Sequence, residues 1–78
     1  MADLSPEALD RFVEAVLPKV LEVTGLQGEA AEVAAVSLVP PFEEDEAGNL
    51  VLRGEDDHVV GRIPAGELDP YEVLEGLG

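Results

Sequence analysis

The sequence predicts a small α+β domain: a long N-terminal helix packed on a small, mainly antiparallel three-stranded sheet, with a short C-terminal helix closing the core. Three observations predict it. Apolar residues recur at helical spacing over residues 5–24, short apolar runs bounded by turn-forming residues fill the middle, and a Pro-initiated amphipathic stretch follows. At 78 residues, the whole of 1–78 reads as one acidic domain.

In the first element, Leu9, Phe12, Val13, Val16, Leu17, Val20 and Leu21 fall on one stripe of a 3.6-period helix. Ser5 is placed to cap it, Pro6 suits its first position, and Glu7 complements the positive end of the dipole. Leu4 can staple onto Leu9, and Gly25 is a left-handed stop. Pro18 removes the hydrogen bond to the Glu14 carbonyl. Because Pro18 lies off the apolar stripe, one helix kinked between Glu14 and Pro18 is expected rather than two.

Residues 29–39 carry two conflicting signals. Alternation puts Val33, Ala35, Ser37 and Val39 on one face and Ala34, Val36 and Leu38 on the other, as in a strand buried on both sides, whereas the alanines favour helix. The valines and the Pro40-Pro41 stop tip the expectation to a strand over 32–39, with a helix over the first part still open.

An acidic loop over residues 42–49 closes on Gly48-Asn49. Strands Leu50–Arg53 and His58–Ile63 then form a hairpin through Gly54-Glu55-Asp56-Asp57. This pairing turns Leu50, Leu52, Val59 and Ile63 to the core and Val51, Arg53, Val60 and Arg62 to the opposite face. After Pro64-Ala65-Gly66, Asp69 caps a second helix, Pro70 follows, Glu72 completes a capping box and Leu68 can staple onto Val73. That helix has barely two turns, so Tyr71, Leu74 and Leu77 must dock to hold it.

Charge excludes more than it identifies. Eighteen Asp and Glu against four Lys and Arg give a net charge of −14, and 46% hydrophobic residues set the chain apart from a disordered acidic tail. Phosphate backbones are recognised by clustered cations, so direct binding to nucleic acid is not expected from Arg11, Lys19, Arg53 and Arg62 alone. Anionic membranes and polyanionic substrates are repelled by the same field. The expected partner is another protein, basic or met through an apolar patch. One Lys against 18 acids is also what a salt-loving source or a GC-rich genome imposes.

With no Cys there is no disulfide, thiolate metal site or cysteine nucleophile, which fits a cytoplasmic setting. Residues 1–25 lack a basic leader and a long apolar run, so a soluble, unprocessed chain is expected.

Catalytic chemistry has few places to reside. His58 follows Glu55, Asp56 and Asp57, but a hairpin tip offers no pocket and no oriented nucleophile. Ser5 is occupied as a cap and Ser37 lies in an apolar segment, which leaves a triad without a serine. An EF-hand opening at Glu43 would put Ala47 at a ligand position and Gly54 at the closing one. The glycines form no phosphate cradle, and one Tyr and two Phe make no base-stacking platform. No enzyme activity, cofactor or metal is expected.

A noncatalytic interaction or regulatory module is therefore the leading expectation, with Glu43, Glu44, Asp45, Glu46, Glu55, Asp56 and Asp57 as electrostatic anchors for a protein partner. One alternative is a nucleic-acid mimic occupying the basic groove of a DNA- or RNA-binding protein. Another is a small structural subunit, a possible homodimer through the Phe12–Leu21 stripe or a strand edge. In a simple hairpin, residues 43–48 and 54–57 lie at opposite ends, and only a crossing of the chain brings the two acidic loops together.

Overall fold

A computed structural model describes residues 5–77, in the order α1 (Pro6–Thr24), α2 (Gly28–Val36), β1 (Leu50–Arg53), β2 (Val59–Ile63) and α3 (Pro70–Leu77). The staple expected from Leu4 falls outside the described residues. Helix α1 is the hub, since α2, α3 and β2 all rest on it while α2 also touches β1. No helix among the described residues is long and apolar enough to cross a membrane.

The ends of α1 are built as its sequence implies. Ser5 is extended and its Oγ accepts from the Ala8 N–H at 3.1 Å. Gly25 adopts φ +71°, and its N–H donates to the Leu21 carbonyl at 2.9 Å. The helix runs as one element through Pro18, which is exposed. The apolar stripe, however, divides. Each step of four residues advances about 40° around a helix of 3.6 residues per turn. Phe12, Val16 and Val20 are fully buried, Leu9, Val13 and Leu17 lie half-buried along one flank, and Leu21 is 40% exposed.

Residues 32–39 form no strand. Residues 28–36 are helical, and the N–H groups of Ser37, Leu38 and Val39 then donate to Ala34, Ala35 and Val36 at 3.2, 3.0 and 3.0 Å in a tightened final turn. The deciding residues are the alanines. Ala31, Ala34, Ala35 and Leu38 recur at i, i+3, i+4 and i+7 and are all buried, so helix propensity and a helical period point the same way. Small side chains on this face also let α2 approach α1 closely. Ser37 ties the end of α2 to β1, its hydroxyl donating to the Ala34 carbonyl at 2.6 Å and accepting the Arg53 N–H at 3.2 Å.

The sheet consequently has two strands rather than three, paired antiparallel with Leu50 opposite Ile63, Val51 opposite Arg62 and Leu52 opposite Gly61. In place of a third strand, the described residues show an isolated bridge between Glu44 and Leu50, flanked by bonds from Val51 N–H to the Glu43 carbonyl and from Asp45 N–H to the Asn49 carbonyl. The register shifts after Leu52, so Arg53 pairs with Val59 and Val60 has no partner. This bulge exchanges the two valines. Val59, expected in the core, is 36% exposed, while Val60 packs against the core. Val51, whose register partner is Arg62, is buried although it lies on the outer face and outside the core cluster.

Helix α3 begins at a cap that is half of the expected box. Asp69 Oδ1 accepts from the N–H groups of Tyr71 and Glu72 at 3.0 and 3.4 Å. Pro70 is fully buried, and Val73, Leu74 and Leu77 pack against the core. Tyr71 stays 57% exposed and docks only through its ring, 5.4 Å from that of Phe42 at an interplanar angle of 56°.

Candidate functional site

The expected acidic anchors are distributed over two ends of the hairpin. Asp45 organises the preceding loop. Its Oδ1 accepts from the N–H groups of Ala47 and Asn49 at 2.9 and 3.0 Å, and its Oδ2 accepts from Asn49 Nδ2 at 3.1 Å and lies 3.3 Å from Arg62 Nε. The Asn49 N–H above all holds the Asp45 carboxyl below its ordinary range. Asn49 in turn accepts the Ala65 N–H at 3.0 Å, which joins this loop to the turn after β2.

Glu43 is engaged at the other end. Arg53 Nε donates to Oε1 at 2.7 Å and Nη2 to Oε2 at 3.1 Å, a two-pronged pairing that holds the Glu43 carboxyl low and raises Arg53. The same guanidinium donates through Nη1 to the Asp57 carbonyl at 2.6 Å. Residues 43–45 run back along β1, and this brings Glu43 to the hairpin tip, whereas Asp45 stays with Arg62 near the opposite end.

The two acidic loops are therefore stitched together at Glu43 and Asp57 by one arginine. Glu44, Glu46, Glu55, Asp56 and Asp57 are exposed, and Asp56 lies 4.0 Å from His58 Nδ1. Glu55, Asp56 and His58 line a small hollow of about 260 Å³ and Glu44 one of about 350 Å³, both smaller than the groove between α1 and α2, and two of the seven carboxylates, Glu43 and Asp45, already have an arginine partner.

A second acidic feature has a shape as well as a charge. Between α1 and α2 runs a groove of about 520 Å³. Leu9, Val13 and Leu17, spaced by four along α1, meet Val33 and Val36 of α2 to form its apolar lining, and Val36 is 44% exposed. Asp10 and Glu14 stand along the α1 wall, and Glu29 and Glu32 along that of α2. All four are exposed, and none forms an ion pair with a Lys or Arg of the described residues.

Partners for them inside the chain are already taken. Arg11 pairs with Glu7 at 3.1 Å, Lys19 with Glu67 at 2.9 Å and Glu22 at 3.4 Å, Arg53 with Glu43 and Arg62 with Asp45. The hydrogen bond from Lys19 to Glu67 raises the lysine above its usual range.

Sequence reasoning found the α1 wall as part of an apolar stripe but missed the α2 wall. Read as a strand, residues 29–36 scatter Glu29, Glu32, Val33 and Val36 over two faces. With the alanines turned inward, Val33, Val36 and Glu29 fall on the side of α2 away from the buried row with Glu32 nearer to it, and Asp10 and Glu14, at i and i+4, lie beyond the half-buried flank of Val13 and Leu17 on α1. No family model matches the chain, and neither a curated protein nor a solved structure matches it.

Proposed function

We propose that this chain is a noncatalytic, regulatory protein-interaction module that recognises a basic protein surface through the groove between α1 and α2. One observation carries the reading: an apolar groove open to solvent carries carboxylates from both of its helices, none of them paired with a Lys or Arg among the described residues. Apolar burial would supply the affinity, and the carboxylates would steer and select a cationic partner. The acids of the two hairpin loops, Glu44, Glu46, Glu55 and Asp56 among them, add to the long-range field that speeds encounter. The reading needs no cofactor, and a chain without cysteine suits a cytoplasmic setting.

The test is affinity capture from source-cell lysate with the native chain and with Val36→Glu, a change at an exposed groove position. A basic protein should be retained at low salt, released near ~1 M salt where the screening length is about 3 Å, and not retained by the variant. Retention of the same proteins by both chains, or of nothing basic, would overturn the reading.

A further inference from the structure

The groove's shape and chemistry narrow what enters it, and the narrowing rests on the reading of the groove as the binding site. We infer that its occupant is an amphipathic α-helix about two turns long at the contact, apolar on one stripe and flanked by Lys or Arg on both sides. Its length follows from α1. Leu9 to Leu17 covers eight residue steps, or about 12 Å at 1.5 Å per step, and two helical turns cover about 11 Å.

The occupant's secondary structure follows from hydrogen bonding. Both walls are helices whose backbone groups are mostly satisfied internally, the exceptions along the groove being the Glu14 carbonyl facing Pro18 and the first-turn N–H groups of α2, so an extended peptide would leave most of its own N–H and C=O groups unpaired against an apolar floor. A helix satisfies its own backbone and presents side chains alone, with anchors at i, i+3 or i+4, and i+7. Ridges spaced by four on α1 are a surface into which a helix packs.

The flanking charge follows from the two rails. Asp10 and Glu14 lie on one wall and Glu29 and Glu32 on the other, so cations are required on both borders of the incoming stripe. A second copy of this chain does not meet that requirement. Its own apolar helix faces are bordered by the same carboxylates, its four cations are in ion pairs, and two copies bring −14 against −14.

Three synthetic peptides of roughly four turns at 3.6 residues each separate the possibilities. The first carries Leu at i, i+4 and i+7 with Lys and Arg on both flanks. The second has the same composition scrambled to destroy the stripe, and the third is the first with a central proline. Affinity is measured by fluorescence anisotropy and the contact mapped by amide and methyl chemical shifts. The first peptide should bind at least about tenfold more tightly than either control, a difference of about 1.4 kcal/mol.

Its shift changes should centre on Val13, Leu17, Val33 and Val36, and Glu14→Lys combined with Glu29→Lys should weaken it by about tenfold or more. Three outcomes overturn the helical occupant: equal binding of all three peptides, shifts centred on the β2 edge, or no binding by any of them. If Val36→Glu nevertheless abolishes lysate capture in any of these cases, the interaction reading stands and only the helical form falls. If capture also ignores the groove, both fall.

Discussion

At the scale of single residues, the described glycine with least room for a side chain is Gly61. A Cβ built there would lie 2.8 Å from Thr24 Cγ2. Thr24 is poorly able to yield, because its hydroxyl donates to the Val20 carbonyl at 2.7 Å and accepts the Leu26 N–H at 3.1 Å, which holds its rotamer. Gly61→Ala should therefore destabilise the fold by about 1–3 kcal/mol, as overpacking does. Thr24→Ser removes the offending methyl and keeps both hydrogen bonds. Combined with Gly61→Ala, it should restore most of the loss in a urea unfolding series. If the double variant is as weak as the single one, the clash is not the cause.

At the scale of elements, Pro18 is the feature that works against its own helix. It is exposed and inside α1, so replacing it gives up little packing and restores a backbone N–H that can donate to the Glu14 carbonyl. Pro18→Ala recovers up to about 3 kcal/mol of helix preference and gives back about 1 kcal/mol through the looser unfolded chain. A net gain of about 1–2 kcal/mol should appear as a midpoint higher by roughly 4–8 °C per kcal/mol in thermal unfolding. An unchanged or lower midpoint would mean that the helix has already relaxed around the proline.

The same scale shows what the residues made legible. Helix α1, its caps, the hairpin's turn and the start of α3 were readable because each is decided locally, by a stripe, a cap or a turn pair. Residue spacing alone did not settle α2, because Val33, Val36 and Val39 fit a period of two while Ala31, Ala34, Ala35 and Leu38 fit a helical one. Tertiary packing chose the alanines, since α1 offers a face on which small residues can pack. The bulge at Val60 was illegible for a related reason. Nothing in Val59-Val60 distinguishes the inward residue, and the close contact between β2 and the end of α1 makes that choice. The groove inherited the first error, and with it half of its lining.

At the scale of the whole molecule, charge acts on folding and on binding with opposite signs of salt dependence. A net charge of −14 on one small domain repels itself, and its four cations are consumed in exposed or half-exposed pairs that contribute little each. Screening should relieve the larger repulsion more than it weakens these pairs, so raising salt from about 0.01 M to ~1 M, which shortens the screening length from about 30 to about 3 Å, should raise the thermal midpoint. Over the same range the affinity for a basic helix should fall, because the rails of Asp10, Glu14, Glu29 and Glu32 are screened from their partner. Sedimentation at low salt should show a monomer. Midpoint and affinity moving in the same direction would show that charge is not what opposes folding and draws the partner. Movement in opposite directions would place the acidic surface where its cost to stability is set against recognition.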